Sequence, residues 1–152
     1  MALLYYNPMT FSSSSFITAH VTGALADKRV VATLVDLEPG NPKSKHQVVS
    51  TGADYRKIAP RGAVPVLDIP GKAFLDENVS VLLHLADSGP KSNLLATPAA
   101  GTPERALLEA RLTFIASEIH SNIRLLRPIG STEAVATAVQ EVVAVSQRAG
   151  VC

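Results

Sequence analysis

Hydrophobic and polar positions change period several times along the chain, and each change marks an element. Leu3-Leu4-Tyr5-Tyr6 is a short β-prone run stopped by Asn7-Pro8. The serines Ser12 to Ser15 then lead into Phe16, Ile17, Val21, Ala24 and Leu25 at helical spacing. Val30 to Val35 is a nearly continuous apolar run, the pattern of a strand covered on both faces. A parallel strand pair joined by a helical crossover is the simplest arrangement of these three pieces. Residues 36–53 are polar and aperiodic, hold Pro39, Gly40, Pro42 and Gly52, and read as a mobile loop. Val64 to Ile69 and Ala73 to Leu75 flank Pro70-Gly71-Lys72, a turn signal that predicts an antiparallel hairpin. A helix follows, with Val79, Leu82, Leu83 and Ala86 on one face.

Pro90 to Pro103 contains three prolines and a glycine and has the composition of a linker between two packing units. Beyond it the pattern is purely helical. Thr102 is placed as an N-cap with Pro103 at the first helical position, and Leu108, Leu112, Ile115, Ile119, Ile123 and Leu126 form one long stripe. Arg127-Pro128-Ile129-Gly130 ends that helix, and the valines 135, 139, 142 and 143 predict another up to about Ala149. The expected organisation is α/β: a first domain over 1–89, a linker over 90–102 and a short all-helical segment over 103–152.

Composition narrows the function classes. Fourteen basic residues against 13 acidic ones leave a net charge of +1, which lacks the strong positive field that concentrates a polyanion, so nucleic acid is not expected as a partner. A lone cysteine, Cys152, forms no internal disulfide and suits a reducing, cytoplasmic setting. No apolar run approaches the roughly 20 residues that cross a bilayer, so no membrane role is expected. Four scattered histidines and one cysteine show no metal-ligand spacing.

Several motifs then occur in a telling order. They are Leu4-Tyr5-Tyr6-Asn7-Pro8 with its serine run, Asp54-Tyr55, Ala59-Pro60-Arg61-Gly62-Ala63-Val64-Pro65-Val66-Leu67, Leu75-Asp76-Glu77-Asn78-Val79 through His84 to Asp87, and Phe114 to His120 continuing to Arg127-Pro128. With them the chain resembles the cytosolic glutathione S-transferases, in particular the bacterial beta-type branch, over about residues 2–128. The resemblance implies a thioredoxin-like domain, a mixed four-stranded sheet with helices, followed by an all-helical domain that is shortened here. It also implies a homodimer, glutathione as co-substrate, a small hydrophobic electrophile as second substrate, and a role in detoxification or small-molecule metabolism.

Residue by residue, the resemblance implies a cis Val64-Pro65 bond and pairing of the Val64 backbone with the extended glutathione backbone, a short form of strand addition. Glu77 would meet the γ-glutamyl amine and Asn78 its α-carboxylate, at a helix start where free N–H groups favour an anion. Asn78 stands where a serine or threonine is commoner, and its amide can still donate. A simple helix cap by Asp76 or Asn78 is the structural alternative. Arg61 and the Lys43 to His46 stretch are candidates for the ligand's carboxylates, with a solvated basic loop as the alternative. The chemistry requires a thiolate from a thiol of ordinary pKa near 8.5, which a nearby hydroxyl donor or helix start favours. The beta-type cysteine falls on Phe11, which leaves Ser12 as the first candidate donor, followed by Thr10 and Tyr6. Helix capping is the other reading of the serines. His120 matches a histidine that lines the beta-type active site, whereas His20 and His84 read as helix-surface residues. Two further functions remain open on the same scaffold: a glutathione-independent isomerase or cyclase using His120 for proton transfer, and a non-catalytic member that binds glutathione or a protein partner through its short helical region.

Overall fold

The computed structural model describes residues 1–37, 46–91 and 97–120 together with Gln140. It divides into two compact units, Met1–Thr97 and Pro98–Cys152, each taken on its own below.

The first unit is built on a sheet of β1 (Ala2–Tyr6), β2 (Val30–Asp36), β3 (Gln47–Val48), β4 (Val66–Ile69) and β5 (Ala73–Leu75), ordered β3-β2-β1-β4-β5. β1 and β2 are parallel, with Leu4 opposite Ala32, and α1 (Ser12–Val21) is their crossover. β4 returns antiparallel beside β1, and the Pro70-Gly71-Lys72 turn folds β5 back onto it, Leu67 opposite Leu75. α2 (Asn78–Ser88) then packs beside α1. The mixed α/β sheet agrees with the expected class but has five strands in place of four. The extra strand, β3, is two residues long and pairs with the end of β2, too short to leave any alternation in the sequence. It also replaces part of the expected 36–53 loop; residues 38–45, and with them Lys43 and Lys45, lie outside the described residues.

Strand alternation divides the core between the two faces of the sheet. On one face Leu4, Leu67, Val81, Leu85 and Ala19 join β1, β4 and both helices, with Phe16 and Leu75 packed at the margin. On the other face Tyr5, Val35, Val48, Val66 and Ala59 surround the fully buried Tyr55, which opens a single 3-10 turn at Tyr55–Lys57. Tyr55 stacks obliquely on Tyr5, ring centroids 5.5 Å apart, and its hydroxyl donates to the Ala63 carbonyl at 2.9 Å. Burial pushes the Tyr55 phenol well above its ordinary value, with Tyr5 and Asp76 adding smaller contributions. This side of the sheet thus holds the segment that runs into Val64.

Three details differ from the sequence expectations. α1 stops at Val21 instead of continuing to Leu25, because the chain turns at Gly23 in a left-handed conformation (φ +77°). His46, expected as a loop residue, is buried: its Nε2 accepts from Arg56 Nη2 at 3.3 Å, which leaves the ring proton on a buried Nδ1 without a partner among the described residues. Gly62 lets this pair approach, since its φ is +65° and a Cβ there would sit 3.0 Å from His46 Cδ2.

In the second unit α3 (Pro103–Phe114) begins as its sequence predicts: Thr102 accepts from the Arg105 N–H at 3.2 Å and Pro103 occupies the first turn. The expected uninterrupted α-helix to Leu126 is not maintained. Ile115–His120 is π-helical, a local widening of the same helix. Ile123, Leu126, the Arg127-Pro128 stop, the helix up to Ala149 and Cys152 lie outside the described residues, as does the linker stretch 92–96. Among the described residues no helix is long and apolar enough to cross a membrane, and no cluster of His, Cys, Asp and Glu suits a metal ion.

Candidate functional site

The first unit collects most of the candidate residues around the ends of β1 and β4 and the starts of α1 and α2. After β1, Asn7 organises a tight turn. Its side chain donates to the Val35 carbonyl at 2.9 Å and accepts from the Met9 N–H at 2.9 Å, and its backbone N–H donates to Ser12 Oγ at 2.8 Å. Thr10 Oγ1 and Ser12 Oγ are 2.7 Å apart, and both reach the Asn7 carbonyl, at 2.9 and 3.0 Å. Two hydroxyl protons therefore serve contacts inside this turn, and Ser12 is fully buried. Ser13 and Ser14 donate to the carbonyls of Thr10 and Phe11 at 2.8 and 2.6 Å. These serines act on the backbone of their own turn, as short hydroxyl side chains do near helix starts. Tyr6 differs: its ring stacks on Phe16 at 4.6 Å, and its hydroxyl has no hydrogen bond among the described residues. Phe11 occupies the first residue before the helix, where the resemblance would put a cysteine.

The start of α2 is arranged in the opposite way. Glu77 is the N-cap, in extended conformation, and no side chain caps the helix among the described residues, so neither Asp76 nor Asn78 takes the capping role that is the structural alternative. Arg61 Nη1 contacts Glu77 Oε1 at 2.6 Å and Asp76 Oδ2 at 3.2 Å in an exposed ion-pair triad. These carboxylates, Glu77 foremost, raise the Arg61 guanidinium above its ordinary value. Asn78 is tied to α1: Ser15 Oγ donates to its Oδ1 at 2.8 Å, and its Nδ2 lies 3.4 Å from Ser14 Oγ. Ser15 was not among the sequence candidates as a residue with its own role. It is fully buried, and its partner is too distant in sequence for any spacing rule to pair them.

Val64 and Pro65 stand between these regions, at the entry to β4, and the bond joining them is cis. No hydrogen bond to the Val64 N–H or C=O is found among the described residues. Arg61, three residues earlier, links this approach to Glu77 across the β5 to α2 junction. His20 and His84 lie exposed on α1 and α2. His120 closes the π-helical turn of the second unit, half-buried.

Comparisons with known proteins bear on the family and the fold. No family model matches the chain. It is 32% identical over 126 residues to the glutathione S-transferase GstA of Escherichia coli O157:H7, an alignment that covers 82% of this chain and 56% of that protein. A sphingomonad glutathione S-transferase solved in complex with glutathione is 33% identical with a TM-score of 0.74, over 92% of this chain and 64% of that one. The bacterial beta class transferase of Sphingomonas chungbukensis is 34% identical with a TM-score of 0.72, over the same shares of 92% and 64%. BphK, a bacterial glutathione S-transferase solved as a ternary complex, is 30% identical with a TM-score of 0.71, over 97% of this chain and 68% of that one. The chain thus spans a little over half the length of GstA and about two thirds of the solved relatives. Its sheet with α1 and α2 is a thioredoxin-like N-terminal domain, and the helical part follows it. On the strength of these identities and this shared fold, the chain belongs to the glutathione S-transferase family.

Proposed function

We propose that the chain binds reduced glutathione in an extended form and presents its thiol, as a thiolate, to a small hydrophobic electrophile. The observation that carries this reading is the uncapped start of α2 with a carboxylate, Glu77, and an amide, Asn78, side by side. A γ-glutamyl group is a zwitterion. Its ammonium suits the Glu77 carboxylate, and its carboxylate suits the Asn78 N–H, the first-turn backbone amides and the positive end of the helix dipole. Arg61 already pairs with Glu77, so the incoming ammonium shares that carboxylate with it, and the Arg61 charge lies within reach of the ligand's carboxylate. The unpaired Val64 backbone offers one donor and one acceptor to the cysteinyl stretch of the ligand.

Thiol activation calls for a hydroxyl proton that can turn toward sulfur. Ser12 is the weakest of the three sequence candidates on this criterion, because it is buried and bonded within its own turn. Thr10 is half-exposed and can rotate outward, and the Tyr6 hydroxyl has no competing acceptor among the described residues. We assign the donor to Thr10 or Tyr6, with Ser12 holding the turn that carries them. The same reading keeps the homodimer and the detoxification role that the family resemblance implies, the cytoplasmic setting expected from the lone cysteine, and His120 of the second unit as a candidate residue.

Isothermal titration of the purified chain with reduced glutathione tests the proposal. Uptake in the micromolar-to-millimolar range is expected, with loss of about tenfold or more in a Glu77→Ala, Asn78→Ala variant. Absence of uptake by a folded wild-type chain overturns it. Consumption of glutathione with chlorodinitrobenzene then separates the hydroxyls: Thr10→Ala or Tyr6→Phe slows turnover with little change in glutathione affinity.

A further inference from the structure

We infer that Ser15 is a positioning residue that fixes which end of the Asn78 amide faces the ligand. The inference rests on the glutathione reading above for the identity of that ligand, and on this chain's own hydrogen bonds for everything else. An asparagine side chain ends in two atoms of nearly equal size and opposite polarity, and a half-turn about its last torsion exchanges donor for acceptor. At a site that must receive a carboxylate, only one of the two orientations is useful.

Two α1 hydroxyls select that orientation. Ser15 is fully buried and its Oγ donates to Asn78 Oδ1 at 2.8 Å. Ser14 has committed its proton to the Phe11 carbonyl at 2.6 Å, so toward Asn78 it presents lone pairs, and Nδ2 faces it at 3.4 Å. Turning the amide over would set Oδ1 against the Ser14 lone pairs and deprive the buried Ser15 proton of its acceptor, a costly loss in a fully buried position. With Oδ1 held by Ser15, Nδ2 keeps one hydrogen toward Ser14 and a second with no partner among the described residues. That second N–H sits in the first turn of α2, whose amides no side chain caps among the described residues. A serine or threonine at position 78 would need no such support, because a hydroxyl rotates its proton toward whichever acceptor arrives. Ser15 and Asn78 therefore form a coupled pair, and the coupling is what distinguishes positioning from plain packing.

A double-mutant cycle on the full chain measures it, using reduced glutathione by titration calorimetry on wild type, Ser15→Ala, Asn78→Ser and the double variant. Ser15→Ala is expected to weaken glutathione binding about five- to tenfold in the Asn78 background and less than about twofold in the Asn78→Ser background. An equal loss in both backgrounds, or none in either, overturns the inference, since a merely structural serine would act regardless of its partner. A second measurement needs no variant: the side-chain amide resonances of Asn78 in free wild-type protein. A dispersed, exchange-protected pair is expected, and a pair at the random-coil position with fast exchange overturns the inference even if Ser15→Ala does not fold. Wild type that takes up no glutathione overturns the function proposed above and the ligand half of this inference together, whereas the amide resonances still decide whether Ser15 holds Asn78.

Discussion

The helices α1 and α2 both begin on a short polar residue, Ser12 and Asn78, and they pack side by side. In α1 the hydroxyls of Thr10, Ser12, Ser13 and Ser14 contact carbonyls of the same turn, and Ser12 also accepts the Asn7 N–H. Neither N-cap residue makes a side-chain cap bond, but Thr10 Oγ1 accepts the first N–H of α1, whereas at α2 the polar groups face outward in an ion-pair triad or toward α1 and no side chain accepts from its first amides among the described residues. The difference separates two uses of polarity. A buried hydroxyl that closes a turn, as Ser12 does, stabilises the chain and has little left for a ligand, whereas the half-exposed Thr10 can still turn away from it. A helix start left open gives up some stability, and its donors stay available for an anion.

That contrast is meaningful only while the two helices stay locked together, and the largest effect is expected at the far end of their contact. Gly89 lies just past α2, where an added Cβ would collide with the side chain of Thr22. Thr22 cannot step aside, being fully buried with its Oγ1 bonded to the Thr18 carbonyl at 2.8 Å. Gly89→Ala should therefore cost about 2–3 kcal/mol, as overpacking of a tight contact does. Urea denaturation measures it, and a loss below about 0.5 kcal/mol would show that the helices can separate without penalty.

The next effect addresses the α1 turn directly. Ser12→Ala removes the acceptor of the half-buried Asn7 N–H and should cost about 1–2 kcal/mol, the lower part of the range for a donor left unsatisfied on burial. Thermal unfolding reads this, with glutathione affinity measured in parallel. A variant that keeps wild-type stability but loses turnover would reverse the roles given to Ser12 and Thr10.

Much of this architecture was legible from periodicity. The β1-α1-β2 crossover, the hairpin around Pro70-Gly71 and the Thr102-Pro103 start of α3 all follow from local patterns whose physics is local. What could not be read was long-range or too short to be periodic. β3 has two residues, His46 is buried by residues distant in sequence, and the Ser15 to Asn78 bond joins two helices that no spacing rule connects. The candidate site was named largely through family resemblance, since the residues of a Glu-Asn pair do not reveal whether they will cap a helix or leave it open. Position in a serine run points to Ser12, and only burial distinguishes a structural hydroxyl from an available one.

The smallest effect gives the comparison its sharpest form, because two measurements should move in opposite directions. Glu77 occupies the N-cap of α2 in the extended conformation that suits a cap, but its side chain makes no capping bond. Serine is among the residues that do so well, and Glu77→Ser should raise stability by about 0.5–1 kcal/mol. The substitution also removes one of the two carboxylates that pair with Arg61, a contact whose side chains are 60% and 63% exposed, so solvent already screens most of its worth, and Asp76 remains. Glutathione uptake should fall by about tenfold or more, because the carboxylate proposed to hold the ligand's ammonium is gone and the new hydroxyl occupies an amide that the ligand's carboxylate would otherwise use. A higher urea midpoint with weaker binding would identify the open start of α2 as a feature kept for the ligand. A lower midpoint would instead mean that Glu77 holds the β5 to α2 junction together through Arg61, and the distinction between a closed α1 and an open α2 would then be one of packing alone.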